Sequence, residues 1–252
     1  MASGALTRCR KRPVLKLMRL MMLTALVLLG TSNIVGCGEL YSSDSITAIV
    51  IDATTGLPIA DVNVVAYWGV YGGLEGGSYE GNLHTVETST DQSGAFVFPS
   101  WGPKWSGGIV KRRNPNLIFF KSGYAVKYES NNDHRMGQWS KRIWEWSARM
   151  RSEINNSKIL LQSSGARETG YARDVESLND RLRTIGLDFG SPCDWQMFTR
   201  MIVSVEREYR MLKQLGVLKP VSESIYDRLL ANDASISKQC SASPIELLKG
   251  IQ

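Results

Sequence analysis

The chain has 252 residues, with 30 Lys and Arg against 24 Asp and Glu, a formal net charge of +6. The excess lies at one end: Arg8, Arg10, Lys11, Arg12, Lys16 and Arg19 all precede the first acid, Glu39. Without those six the balance is 24 to 24, so the basic excess is no evidence for the clustered basic face that nucleic-acid binding requires, and no nucleic-acid partner is expected. The one local cluster, Lys111-Arg112-Arg113, reads as a solvated loop tip.

An apolar run, Leu20 to Leu29, follows the basic residues, and Thr31, Ser32 and Asn33 close it. Basic then apolar over roughly ten residues is the layout of a secretory signal, and the run is shorter than the about 20 residues of a membrane-spanning helix. Next comes Ile34-Val35-Gly36-Cys37. This resembles the lipobox of bacterial lipoproteins, an aliphatic residue and two small ones before Cys, with Ile34 and Val35 in place of the commoner Leu and Ala or Ser. The resemblance implies a signal peptide over 1–36, cleavage before Cys37, and acyl chains on its thiol that enter membrane lipid at about 0.8 kcal/mol per CH2. Gly38 after the Cys, rather than Asp, implies the outer membrane by enterobacterial sorting rules.

About 216 residues remain after that cut, enough for one large domain or two small ones. Cys193 and Cys240 are then the remaining cysteines, an even pair in an oxidising compartment, and a disulfide between them is predicted. Neither has a second Cys or His nearby, which argues against a metal site.

Residues 37–45 read as a tether. From Ile46 the pattern is β: 46–51 and 62–68 are rich in β-branched and aromatic residues, and 84–90, 95–98, 117–120, 125–128 and 157–161 are further short strands. Asp91-Gln-Ser-Gly94 carries a type I turn signature. Val50-Ile-Asp52, Thr55-Gly56-Leu-Pro58-Ile59, Val62-Asn-Val64, Thr90-Asp91-Gln-Ser-Gly94-Ala-Phe96 and Gly123-Tyr124 follow in order. Together they resemble the carboxypeptidase regulatory-like domain over about half the mature chain, with Ala48 where a Gly is common. The resemblance implies a prealbumin-like antiparallel β-sandwich over 46–165 and an accessory or binding role; it does not imply peptidase activity.

Two inserts interrupt the pattern. The Gly-rich segment 69–82 lacks the Gly-Lys-Ser/Thr of a phosphate loop and reads as a long hairpin loop. Segment 100–116 carries Trp101 and Trp105, rings able to stack on sugars, to grip a partner, or to fold back onto the sandwich. Farther on, Trp139, Ile143, Trp146 and Met150 fall at helical spacing, with Trp144 off that stripe. Trp101, Trp105 and Trp144 are the candidate ligand contacts.

The period becomes helical in the last third, and 166–252 is read as a small α-helical region, making the chain α+β. Val175, Leu178, Leu182 and Ile185 form a stripe ended by Gly186. Ser191-Pro192-Cys193-Asp194 is a helix start, followed by Trp195, Phe198, Ile202, Val205, Tyr209 and Leu212, with Gly216 as the stop. A shorter helix is predicted over 222–230, and Ser243-Pro-Ile-Glu246 opens a last one.

Three patterns bear on catalytic chemistry. His84-Thr-Val-Glu87 matches the His-x-x-Glu of zinc carboxypeptidases, with His134 as a conceivable third ligand, but residues three apart on a strand face opposite ways. Ser235-Ile-Ser-Lys238 lacks the companion motifs of penicillin-binding enzymes. Glu206 and Glu208 read as solvated surface. The sequence is therefore read as a non-enzymatic, lipid-anchored envelope module without a cofactor, binding a protein or a glycan. A carbohydrate-binding module using the tryptophan loops is one alternative; a metallohydrolase using His84 and Glu87 is another.

Overall fold

The computed structural model describes residues 39–72, 78–106, 115–130, 147–150, 152, 154–165, 169–218 and 223–249. The predicted signal 1–36, Cys37, Lys111-Arg113, His134, Trp139 and Trp144 lie outside them. Residues from Gly38 onward form one unit.

Its strands are β1 (Glu39–Ser43), β2 (Ile46–Asp52), β3 (Asn63–Gly72), β4 (Ser78–Ser89), β5 (Ala95–Phe98), β6 (Trp101–Ser106), β7 (Asn116–Phe120), β8 (Lys127–Ser130), β9 (Ser147–Met150) and β10 (Ser157–Leu161). They form three sheets, ordered β4-β3-β7-β8, β10-β2-β5 and β6-β1-β9. The first is wholly antiparallel, whereas β10 pairs with β2, and β9 with β1, in parallel. The fold is α+β, a β-sandwich with helices from the C-terminal third.

Sequence alternation decides which faces are covered. In β2, Ile46, Ala48 and Val50 are buried while Ile49 is exposed, the period-2 pattern of a sheet with one wet face. In β3 and β7 the apolar run is continuous, which requires cover on both faces. Val64, Ala66 and Trp68 of β3, with Leu117 and Phe119 of β7, meet β2, β5 and β10 in the sandwich core. Their neighbours Val65, Tyr67, Ile118 and Phe120 point the other way, into a second core made with the helices. The result is a layered order of sheet, sheet and helices.

The helical layer comprises α1 (Thr169–Arg183), α2 (Thr199–Gln214), α3 (Ile225–Ala231), α4 (Asp233–Ile236) and α5 (Pro244–Lys249). Val175, Leu178, Leu182 and Ile185 are all buried, and a π-helical turn, Thr184–Asp188, follows α1. Gly186 lies in that turn because any Cβ there would meet the Phe198 ring at 2.7 Å. At the end of α2 the N–H of Gly216 donates to the Lys213 carbonyl and that of Val217 to the Leu212 carbonyl, a Schellman stop. Cys193 and Cys240 are disulfide-bonded, with Cα atoms 5.4 Å apart, joining the segment before α2 to the one before α5.

The residues of the regulatory-like pattern serve as a corner lock. Asp52 Oδ1 accepts the N–H groups of Thr54 and Thr55, and Asp52 Oδ2 accepts the Tyr124 hydroxyl. Asp91 Oδ1 accepts from the Ser93 and Ala95 amides. Thr90 Oγ1 accepts the Val62 N–H and donates to the Ile59 carbonyl. Gly94, at φ +73°, lies so close to β2 that a Cβ would meet the Val50 carbonyl oxygen at 2.4 Å.

Several expectations are corrected. The segment read as a tether contains β1. Most of the insert at 69–82 is not loop: β3 and β4 continue to Gly72 and from Ser78, paired through two register shifts. Segment 101–106 is a strand because it pairs with β1. Met150, placed on a helical stripe, ends strand β9, since the backbone of 147–150 pairs with β1. The long helix does not begin at Ser191: a 3-10 turn, Asp194–Phe198, comes first and α2 starts at Thr199.

Candidate functional site

The start of α2 is fixed by a distant carboxylate. No side chain of its own segment caps it; instead Glu87 of β4 accepts the N–H of Met201 on Oε1 at 2.6 Å and that of Arg200 on Oε2 at 3.1 Å. A negative charge at a helix N-terminus is favoured by the free amides and the helix dipole. Burial outweighs those donors and pushes Glu87 up to about 7.

His84, three residues earlier, faces the sandwich, as its pairing opposite Trp68 requires. Its ring lies 5.6 Å from Trp68 and 4.9 Å from Trp101, and the two indoles meet edge to face at 5.1 Å. Lys104 Nζ stands 2.9 Å from His84 Nδ1, so the lysine donates to an unprotonated imidazole nitrogen. Burial, with the Lys104 charge second, pushes His84 down to about 4. Beyond this group Asn82 Nδ2 donates to the Ile185 carbonyl and, at 3.4 Å, to Asp194, while the Tyr79 hydroxyl donates to Asn82 Oδ1. His84 and Glu87 therefore do not converge on one ion, and no cluster of three or more metal-ligating side chains occurs among the described residues.

The tryptophan contacts separate. Trp101 and Trp105 share a strand parity, which would place them side by side. A register shift between Tyr41 and Ser43, opposite Gly102-Pro103, breaks it. Trp101 and Lys104 turn inward with buried Ser43 and Tyr41, whereas Trp105 turns outward with Leu40 and is 65% exposed. Trp101 folds back onto the sandwich; Trp105 remains available; Trp144 is outside the described residues. The wet face of sheet β10-β2-β5 adds a feature the sequence reading missed: Ile49, Val97 and Leu160 are 39%, 54% and 50% exposed. The three share the outward parity of their strands, but apolar outward residues are not a familiar motif.

Glu206 and Glu208 are corrected outright, each being 4% exposed. Glu208 accepts the Tyr171 hydroxyl at 2.7 Å, and Glu206 pairs with Arg210. They turn inward because neighbouring elements cover this side of α2.

No protein-family model and no curated protein matches the chain. Solved structures do, at low similarity. The 3-chlorocatechol 1,2-dioxygenase of Rhodococcus opacus 1CP is 16% identical, with a TM-score of 0.28 over 50% of this chain and 61% of that one. The dioxygenase domain of a dioxygenase–carbohydrate-binding protein fusion from Streptomyces sp. SirexAA-E is 13% identical, at 0.29 over 52% and 85%. The shaft pilin SpaA of Lactobacillus rhamnosus GG is 14% identical, at 0.24 over 50% and 51%. They share a β-sandwich-like fold with this chain. The expectation of a non-enzymatic module is corrected here: two of the three neighbours are dioxygenases, so a sandwich of this kind is no ground for excluding an enzyme. Similarity at this level transfers no activity.

Proposed function

We propose that the chain is a lipid-anchored binding module of the bacterial cell envelope, held by acyl chains on Cys37 and facing the periplasm, with the outer membrane as its site. The observation that carries the reading is the Cys193–Cys240 disulfide, because stable structural disulfides belong to oxidising compartments such as the periplasm. The basic-then-apolar leader and the lipobox-like Ile34-Val35-Gly36-Cys37 support the same address. The regulatory-like resemblance is supported by the roles of its residues: Asp52, Thr90, Asp91, Gly94 and Tyr124 all work in the corner lock.

A protein partner fits the wet sheet face, where Ile49, Val97 and Leu160 offer apolar area that water alone does not reward. A second reading, a glycan partner, is favoured by exposed Trp105. Cell fractionation tests the address. The wild type is expected to sediment with membranes and the Cys37→Ala variant not to be lipidated; equal resistance of both to release by detergent would overturn lipid anchoring.

A further inference from the structure

Away from the tryptophans, a cleft of about 310 Å³ opens between the β3–β4 hairpin and α1, and its lining includes Tyr67, Tyr71, Tyr79, Ser177, Asp180 and Arg181. That volume lies at the small end of ligand pockets, which run about 300–1,000 Å³, and suits one ring rather than a peptide. The walls are aromatic. Tyr71 and Tyr79 meet edge to face at 5.5 Å, and Phe189 packs on the far side of Tyr79 at the same distance.

The guanidinium of Arg181 is held from two directions. Its Nη1 donates to the Tyr67 hydroxyl at 3.0 Å, and its plane carbon stands 4.7 Å from the centre of the Tyr128 ring. Among the described residues no carboxylate forms an ion pair with it. An arginine fixed in this way keeps several fork-shaped donors at low entropic cost. Asp180, 64% exposed, brings an acceptor of two oxygens to the same lining, and Ser177 a hydroxyl.

We propose that this cleft binds a neutral sugar ring. Arg181 is the lining's one cation and Asp180 its one anion; Arg183, whose Nη2 stands 3.7 Å from Asp180, is itself paired with Asp188 at 3.4 Å, so the lining does not select a charged ligand. A planar donor fork and a planar carboxylate are instead matched to adjacent hydroxyls, which each donate and accept. The tyrosine rings present apolar faces to the C–H side of a pyranose. Phenols add both packing area and a polar edge at small rotamer cost. Tyr67 acts through Arg181 as a positioning residue, because its hydroxyl sets the guanidinium plane. The inference rests on the reading of the chain as a binding module and adds the ligand class and the site.

The test is calorimetric titration of the folded wild-type protein with chitotetraose, cellotetraose and maltotetraose, and with benzoate as a ring-bearing anion. At least one of the sugars is expected to bind. Tyr71→Ala and Arg181→Lys are each expected to weaken it at least tenfold, and Tyr67→Phe by a smaller factor. Leu57→Ala, at an exposed side chain outside the lining, should bind as the wild type does. Thermal melting of each variant identifies any that has lost its fold, and Arg181→Lys, the mildest change, decides if Tyr71→Ala has. Binding of none of the three sugars at millimolar concentration, binding of benzoate alone, or sugar binding unaffected by Arg181→Lys would each overturn the assignment. Membrane localisation is read separately, so a failed anchor and an empty cleft give different results.

Discussion

At residue scale, identical backbone conformations hide different constraints. Gly56 and Gly94 have nearly the same φ, +71° and +73°, yet a Cβ at Gly56 meets nothing within 4 Å while one at Gly94 runs into the Val50 carbonyl. Gly56→Ala is expected to cost about 1 kcal/mol, the left-handed penalty alone. Gly94→Ala should cost more than twice that, because β2 must shift as well; urea unfolding of the two variants checks the ratio. Glu87 makes a prediction about pH. Its folded value of about 7 exceeds the ordinary 4.5, so the folded state prefers the protonated carboxyl. That preference is satisfied below about pH 4.5 and lost as pH rises through 7, removing stability on the order of 3 kcal/mol. Glu87→Gln does not titrate, so the difference in unfolding free energy between the two proteins should shift in favour of the variant as pH rises over that window. His84 works with the opposite sign: its folded value of about 4 lies below 6.5, so its contribution is present above pH 6.5 and fades as pH falls toward 4.

At the scale of elements, local pattern was legible where it coincided with burial. Strands β5 and β10 fall where the sequence pattern places them, and the stripe along α1 and the turn after it buries all four of its expected residues. What escaped were features set by distant partners. The start of α2 depends on Glu87, more than 100 residues away in the chain, and no cap signal within 191–194 can reveal it. Strands β1, β6 and β9 form by pairing with one another, and their short polar sequences carry no period of their own. Trp101 and Trp105 part company through a register shift that spacing cannot show. The tyrosine cleft was missed for a related reason: Tyr67, Tyr71 and Tyr79 sit on two strands and Arg181 on a helix, about a hundred residues later. The disulfide closes a separation of 47 residues, so Cys193→Ser with Cys240→Ser is expected to lower stability by up to about 4 kcal/mol in the chain-entropy model, read from denaturant midpoints.

For the whole molecule, the decisive feature is that β3 and β7 belong to two cores at once. Val65, Tyr67, Ile118 and Phe120 meet the helices from the same strands whose alternate residues fill the sandwich. Loss of either core therefore exposes apolar side chains of the other's central sheet. Helical ellipticity and tryptophan fluorescence are expected to report one coincident unfolding transition; two separated transitions would mean that the layers are energetically independent. Phe120→Ala, on the helix-facing side, should cost about 3–5 kcal/mol and lower both signals together.

The proposed tether to the envelope through Cys37 is read most directly from the intact mass of protein extracted from cells in detergent. A mature chain beginning at Cys37 and carrying the added mass of acyl chains, absent from the Cys37→Ala variant, is the predicted result. An unlipidated wild-type mass, with an N-terminus at any other residue, would contradict it.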